Sequence, residues 1–329
     1  MLSLSLKLTP YYTGKFIRQL TSRITSCRKT TEQNSYSRVV STATDRHHGI
    51  VTVQYSVKNL MPPGAKMKYE KLEFDVKDQI AWITINRESA FNALDLQAMQ
   101  ELLDIANRCG SDTGIRAAVL TGSGEKAFCA GGDVADFAEN SDRVTMLLKE
   151  MTTCMHMAIS RFARMDAPLI ARINGVAAGA GLSLAACCDL AICTNTSKFT
   201  SAYTAIGLTP DGSSSYYLSR IIGTRRAMEL YLTNRTLSAQ EALDWGLVNQ
   251  VVDAAELDTS VGELATKLAN GPTRAHGGVK KLLQMALNDS LESQMERETR
   301  CIVEMSTTQD GIEGVKAFTE KRKPQFKGC

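Results

Sequence analysis

The chain has 329 residues, 43% of them hydrophobic, with 38 Lys and Arg against 35 Asp and Glu for a net charge of +3. That length supports one large core or two smaller ones, and no run approaches the roughly 20 apolar residues of a membrane span. The charge is uneven: the first 60 residues hold nine of the bases and two of the acids, leaving 29 bases against 33 acids elsewhere, a mildly acidic balance that argues against nucleic acid as a partner.

The basic N-terminus is rich in Ser, Thr and Arg. Residues 1–65 therefore read as a mitochondrial transit peptide or disordered segment, and the expected location is the mitochondrial matrix. Lys7 breaks the apolar run that a secretory signal needs, and the final KPQFKGC carries no peroxisomal tripeptide. Nine cysteines without a C-x-x-C pair and four scattered histidines predict a reducing compartment and no metal site.

After the MPPGAK punctuation at 61–66, residues 69–87 alternate apolar and polar around KDQ and predict a β-hairpin. Asp95 is placed to cap a helix through Ala106, with Leu94, Met99, Leu102, Leu103 and Ile105 on its apolar side. AAVLTGSG, LIARING and LAICT read as short buried strands, with a helix over 143–164 between the first two. Strands alternating with helices imply an α/β fold. Ser238 and Glu241 have the spacing of a capping box, and amphipathic helices are predicted at 276–288, 290–306 and 310–321.

Five small residues, Ala177 to Gly181, separate the strand at 169–175 from the next helix. Such a junction serves either a tight turn or the approach of a ligand anion to the unpaired amides of a helix start.

Four segments carry a family resemblance. AFCAGGDV at 127–134, NGVAAGAGLSLAACCDLAI at 174–192, GLTPDG at 207–212 and GVKAFTEKRKPQF at 314–326 are similar in order and spacing to the crotonase, or enoyl-CoA hydratase/isomerase, superfamily. The likeness covers residues 69–327. It implies a spiral of ββα turns over a core at 66–265, and a C-terminal helical trimerisation region at 266–329, hence a homotrimer or dimer of trimers. It implies an acyl-CoA substrate, with coenzyme A arriving as part of the substrate and no other cofactor. By the same resemblance the Ala130 and Ala180 N–H groups form an oxyanion hole, flanked by Gly131 and Gly179. Gly132, Asp133 and Val134 run along the adenine end of CoA, Phe91 and Ala93 lie near the nucleotide, and Lys321 reaches a CoA phosphate across a subunit boundary.

The hydratases of that family use two glutamates, whose positions here are Ser183 and Tyr203, so hydration by that route is not expected. Asp211 matches the working aspartate of several isomerases of the family, and enoyl-CoA isomerisation is the expected reaction. Residues 222–251 also resemble the 4-chlorobenzoyl-CoA dehalogenases, which places a catalytic histidine on His156 and an active-site aromatic on Tyr203, and keeps open a nucleophilic attack by Asp211 followed by hydrolysis. His156 lies about 120° from the stripe of Leu148, Met151, Met155, Ala158 and Phe162 by helical period, which suits a surface position as well as a site edge. A non-catalytic acyl-CoA binder is the third reading. The targeting expectation is checked by fusing residues 1–60 to a fluorescent protein: mitochondrial fluorescence is expected, and a diffuse cytosolic signal would contradict it.

Overall fold

The computed structural model describes residues 38–44, 51–57 and 69–329, in two compact units that divide after Lys68. In the first unit β1 (Arg38–Thr44) and β2 (Val51–Val57) pair antiparallel, Arg38 opposite Val57. Both are rich in β-branched residues, so two strands lie within the stretch expected to be disordered. The rest of the transit-peptide reading falls outside the described residues.

The second unit opens with the predicted hairpin, β3 (Leu72–Lys77) and β4 (Ile80–Ile85). Asp78 and Gln79 turn it with φ of 52° and 65°, a conformation whose twist suits paired strands. α1 (Leu96–Ser111) follows, capped by Asp95, whose Oδ1 accepts the Ala98 N–H at 2.7 Å. It continues past Ala106 because Cys109 extends the buried face of Met99, Leu102 and Ile105, whereas Leu103 is only half-buried. Then come β5 (Ala117–Gly122), β6 (Ala127–Cys129), the short α2 (Val134–Glu139), the long α3 (Val144–Arg164), β7 (Leu169–Ile173), β8 (Val176–Ala178) and α4 (Ala180–Cys187). The core face of α3 is Leu147, Met151, Met155, Ala158 and Phe162. Leu148, expected in that stripe, is half-buried instead.

β9 (Leu190–Thr194), β10 (Lys198–Thr200), α5 (Ser214–Ile221), α6 (Thr224–Thr233), β11 (Leu237–Ser238), α7 (Ala239–Asp244), β12 (Gln250–Val252) and α8 (Leu257–Ala269) complete the layers. The predicted capping box of Ser238 and Glu241 opens α7. One sheet has the order β12-β9-β7-β5-β4-β3 and the other β11-β10-β8-β6. Successive pairs β5/β6, β7/β8 and β9/β10 each place one strand in each sheet, which makes the expected α/β spiral. Alternation along the central strands explains its packing. Val119, Ile170 and Ile192 face Leu257, Val261 and Ala265 of α8, while Leu120, Ala171 and Cys193 face the larger core with α1 and α3. Strands buried on both sides read as continuous apolar runs.

α9 (Thr273–Met285), α10 (Leu291–Ser306) and α11 (Gln309–Thr319) are the C-terminal helices. The first starts earlier than predicted, directly after Pro272, whose ring suits a helix entry. They belong to the same compact unit as the core. Lys280, 8% exposed, ties α9 down by pairing with Asp189 at 2.7 Å and donating to the Phe162 and Ala167 carbonyls at 3.0 and 3.1 Å. Arg116 holds the tail, donating to Gly271 O at 2.6 Å and Phe326 O at 3.2 Å. The described cysteines are free thiols, and burial pushes Cys109, Cys129 and Cys193 up to about 12. No helix among the described residues is long and apolar enough to cross a membrane.

One buried side chain organises the loop between β4 and α1. Asn92, at φ 57°, donates from Nδ2 to Ala127 O at 2.7 Å and Ser123 O at 3.0 Å, and its Oδ1 accepts from the Arg87 N–H and the Ser123 hydroxyl. All four groups lose this partner in Asn92→Ala, which should lower the unfolding free energy by about 3 kcal/mol, measured by urea denaturation.

Candidate active site

A cavity of about 290 Å³ opens where the ends of β6 and β8 meet α3 and the loop before α5. Its apolar wall includes Met99, Phe137, Leu148, Met151, Ile206 and Leu208, and its polar groups gather at one end around Tyr203 and Asp211. A larger depression of about 560 Å³ runs between α9 and α10, lined mostly by apolar side chains such as Val279, Leu282, Met295, Ile302 and Met305. The smaller cavity, apolar with a few convergent polar groups, is the candidate site.

The small-residue junction lies at its edge. Gly179 takes φ 51° and ψ −124° to turn β8 into α4, a conformation that disfavours any side chain. A Cβ on Gly181 would stand 2.0 Å from Cys129 O, so the helix start presses directly on the end of β6. A Cβ on Gly131, at φ 105°, would lie 3.2 Å from the Ala180 nitrogen and 2.9 Å from Ala178 O. Gly131 thus keeps open the space beside the Ala180 amide.

As the first residue of α4, Ala180 has no protein acceptor for its N–H among the described residues. Ala130, expected to supply the second donor, does not. Its N–H is spent on the Phe91 carbonyl at 3.0 Å. The strand end bridges Leu94 in parallel, with Leu94 N donating to Gly131 O at 2.7 Å and Asp133 N to Leu94 O at 2.9 Å. That alternation turns the intervening Gly132 N–H the other way, and it meets no protein acceptor. Gly132 and Ala180 thus bring two N–H groups without a protein acceptor to the cavity.

Asp211 sits at the polar end within a hydrogen-bonded cluster. Tyr203 donates its O–H to Asp211 Oδ1 at 2.6 Å, and the fully buried Ser183 hydroxyl lies 2.9 Å from the Tyr203 oxygen and 3.1 Å from the Asp211 carbonyl. Burial and then the charge of Asp211 push the Tyr203 phenol well above its ordinary value. The two positions matched to hydratase glutamates therefore hold a network that supports one carboxylate.

The other sequence-predicted residues divide. Ala130, Gly131, Gly132, Val134, Gly179, Ala180, Tyr203 and Asp211 all line the cavity. His156 does not: it is exposed on α3, and its Nε2 accepts the Gly212 N–H at 3.1 Å. Asp133 is engaged elsewhere, since its carboxylate pairs with Arg87 at 2.9 Å and caps α2 through Ala135 N. Phe91 is exposed and Ala93 buried beside the cavity loop, and Lys321 stands in solvent beyond α11. Arg87, which bridges Asp95 at 3.0 Å and Asp133 and also donates to the Ala93 carbonyl, was not singled out from sequence. An arginine between two acids distant in the chain carries no local signal.

Two unpaired amides facing one space can stabilise an oxyanion, and a carboxylate with one oxygen tied can exchange a proton through the other. No group of three or more His, Cys, Asp or Glu among the described residues could hold a metal ion. The profile of the enoyl-CoA hydratase/isomerase family matches residues 75–329. The chain is 40% identical over 227 residues to 4-chlorobenzoyl coenzyme A dehalogenase-2 of an Arthrobacter species, covering 69% of this chain and 82% of that one. It is 34% identical over 254 residues to 1,2-epoxyphenylacetyl-CoA isomerase of Escherichia coli K12, covering 77% and 97%. Among solved structures, an enoyl-CoA hydratase from Bacillus anthracis superimposes with a TM-score of 0.74 at 31% identity, over 79% of this chain and all of the other.

The raised phenol of Tyr203 makes a stability prediction. A tyrosine whose folded value exceeds its unfolded value of about 10 contributes stability that is complete below that pH and is lost as pH rises above it. Tyr203→Phe removes that proton, so its unfolding free energy should fall less steeply between pH 10 and pH 11.5, by up to about 1.4 kcal/mol per pH unit. Urea denaturation of both proteins across that range checks it.

Proposed function

Because the chain belongs to the enoyl-CoA hydratase/isomerase family, on a match spanning residues 75–329, we propose that this acyl-CoA enzyme shifts the double bond of an enoyl-CoA by proton transfer through Asp211. The observation that carries the reading is that, among the described residues, Asp211 is the one carboxylate lining the cavity, with Oδ1 already taken by the Tyr203 hydroxyl. Hydration by paired glutamates needs a second carboxylate to position the water. Ser183 and Tyr203 stand in those places and can donate or accept hydrogen bonds but cannot act as carboxylate bases near neutral pH.

In this reading the thioester carbonyl oxygen meets the Gly132 and Ala180 N–H groups, each worth roughly 3 kcal/mol to the enolate. Asp211 takes a proton through its free oxygen from one carbon of the enoyl group and returns it to another. Tyr203 keeps the carboxylate oriented, while the wall of Met99, Phe137, Leu148 and Met151 shields the acyl group from water. No resident cofactor enters these steps, since the thioester acidifies the α-carbon.

A second reading, hydrolytic attack by Asp211 with His156 as base, draws on the identity to the dehalogenase. The engagement of His156 Nε2 by the Gly212 amide argues against it. A binder without catalysis would have no need of a carboxylate held in this way. The same family reading carries assembly as a homotrimer or dimer of trimers through the C-terminal helices, whose exposed Leu283, Leu287, Ile302, Val315 and Phe318 form the kind of apolar surface that partners cover. The basic, acid-poor N-terminus carries the mitochondrial matrix as the proposed location.

The test is a spectroscopic screen of the purified protein against cis-3-enoyl, trans-2-enoyl, dienoyl and aryl-CoA thioesters, followed by Asp211→Asn on whichever is converted. Isomerisation of an enoyl-CoA is expected, with kcat lowered by at least about 10²-fold in the variant. Unchanged turnover in Asp211→Asn would refute the assignment, and turnover of aryl-CoA alone would favour the hydrolytic reading.

A further inference from the structure

The turn that follows the cavity carboxylate is held at both edges of a single peptide unit. The carbonyl of Asp211 and the N–H of Gly212 belong to one plane. On the carbonyl side, Asp211 O accepts from the Ser183 hydroxyl at 3.1 Å and from the Ser214 N–H at 3.0 Å. On the other side, the Gly212 N–H donates to His156 Nε2 at 3.1 Å. Gly212 has φ 58°, and a Cβ there would come within 2.5 Å of Met155 Cε and 2.9 Å of Ser183 Cβ, so side chains of α3 and α4 both pack closely on the turn. The bond to His156 and the tight packing at Gly212 anchor the turn that carries Asp211 to α3, and a turn released from that anchor can shift with the Asp211 side chain on it.

We propose that His156 is a positioning residue: a neutral imidazole, protonated on Nδ1, that fixes the Asp211–Gly212 peptide plane through Nε2 and so aims the carboxylate, without itself taking a proton from substrate or water. Three observations support the assignment. The lone pair that a general base needs is occupied by a backbone donor, and a ring nitrogen that accepts a hydrogen bond leaves the proton of the neutral ring on the other nitrogen. His156 is absent from the cavity wall, which on α3 consists of Leu148, Met151 and Thr152. Ser183 and Ser214 hold only the carbonyl edge, so His156 is the sole side chain holding the N–H edge. The catalytic consequence rests on the reading of Asp211 as the acid/base. The clamp on the peptide plane does not.

The test compares His156→Ala with His156→Gln, because the Gln Oε1 occupies about the same position as Nε2 and accepts a hydrogen bond but cannot act as a base. Hydrogen exchange at the Gly212 amide, measured by mass spectrometry with single-residue fragmentation, should be about tenfold or more faster in His156→Ala and return close to the wild-type rate in His156→Gln. With an enoyl-CoA substrate, His156→Ala should lower kcat by about 10- to 100-fold at nearly unchanged KM, the range expected for a misplaced reacting group, and His156→Gln should recover to within about threefold of wild type. Unaltered Gly212 exchange in His156→Ala overturns the inference. So does a His156→Gln enzyme as impaired as His156→Ala, above all if an aryl ester then accumulates on Asp211 in intact-protein mass spectra, as a water-activating base requires. If the wild-type protein converts no enoyl-CoA, the isomerase reading fails, while the exchange measurement still decides the role of His156.

Discussion

The close approach of two backbones, the end of β6 and the start of α4, is the constraint on which the cavity depends. Gly181 lets α4 rest against Cys129 O, and Gly131 leaves the face of the Ala180 amide uncovered. Every residue of α4 is buried. An eight-residue helix without a polar face has no stability of its own to spare, and its position is set by the strands and helices around it. That rigidity matters because electrostatic stabilisation by amides relies on donors that need not reorganise when charge develops.

Around this fixed point the polar groups are arranged to support one carboxylate. Tyr203, Ser183 and His156 come from three segments and reach Asp211 by its side-chain oxygen, its carbonyl and the following amide. On the opposite side, Arg87 draws Asp95 and Asp133 together and fixes the loop through the Ala93 carbonyl. Asn92 ties the same loop to the end of β5 and the start of β6. The Phe91 carbonyl then takes up the Ala130 amide and leaves Gly132 as the inward donor. Loop geometry and hydrogen-bond allocation thus belong to one problem, since each backbone group satisfied within the protein is removed from the ligand's reach.

Much of the scaffold was legible from the chain. The hairpin around Asp78 and Gln79, the Asp95 cap, the Ser238–Glu241 box and the buried strands follow from local pattern, and the structure has them. The off-stripe angle of His156 also corresponds to its exposure on α3. Met151, Met155, Ala158 and Phe162 of the predicted stripe are in the core, and only its first member differs, with Leu147 buried in place of Leu148. Near a helix end the packing of short neighbours decides which of two adjacent leucines turns inward. Here Leu148 becomes part of the cavity wall instead.

The sequence by itself determined the layer architecture and the position of the small-residue junction, because periodicity, capping and glycine requirements are properties of neighbouring residues. Only the tertiary structure decided which amide faces the cavity. Ala130 and Gly132 both sit in a run of small residues, and the parallel bridge to Leu94 assigns one inward and the other to Phe91 O. The same holds for His156, whose partner is a backbone N–H 56 residues away in the chain, and for Arg87, whose clamp joins acids on either side of β5 and β6. Each of these is a pairing between segments brought together by folding, and hydrogen-bond allocation across such contacts depends on distances that no local pattern records.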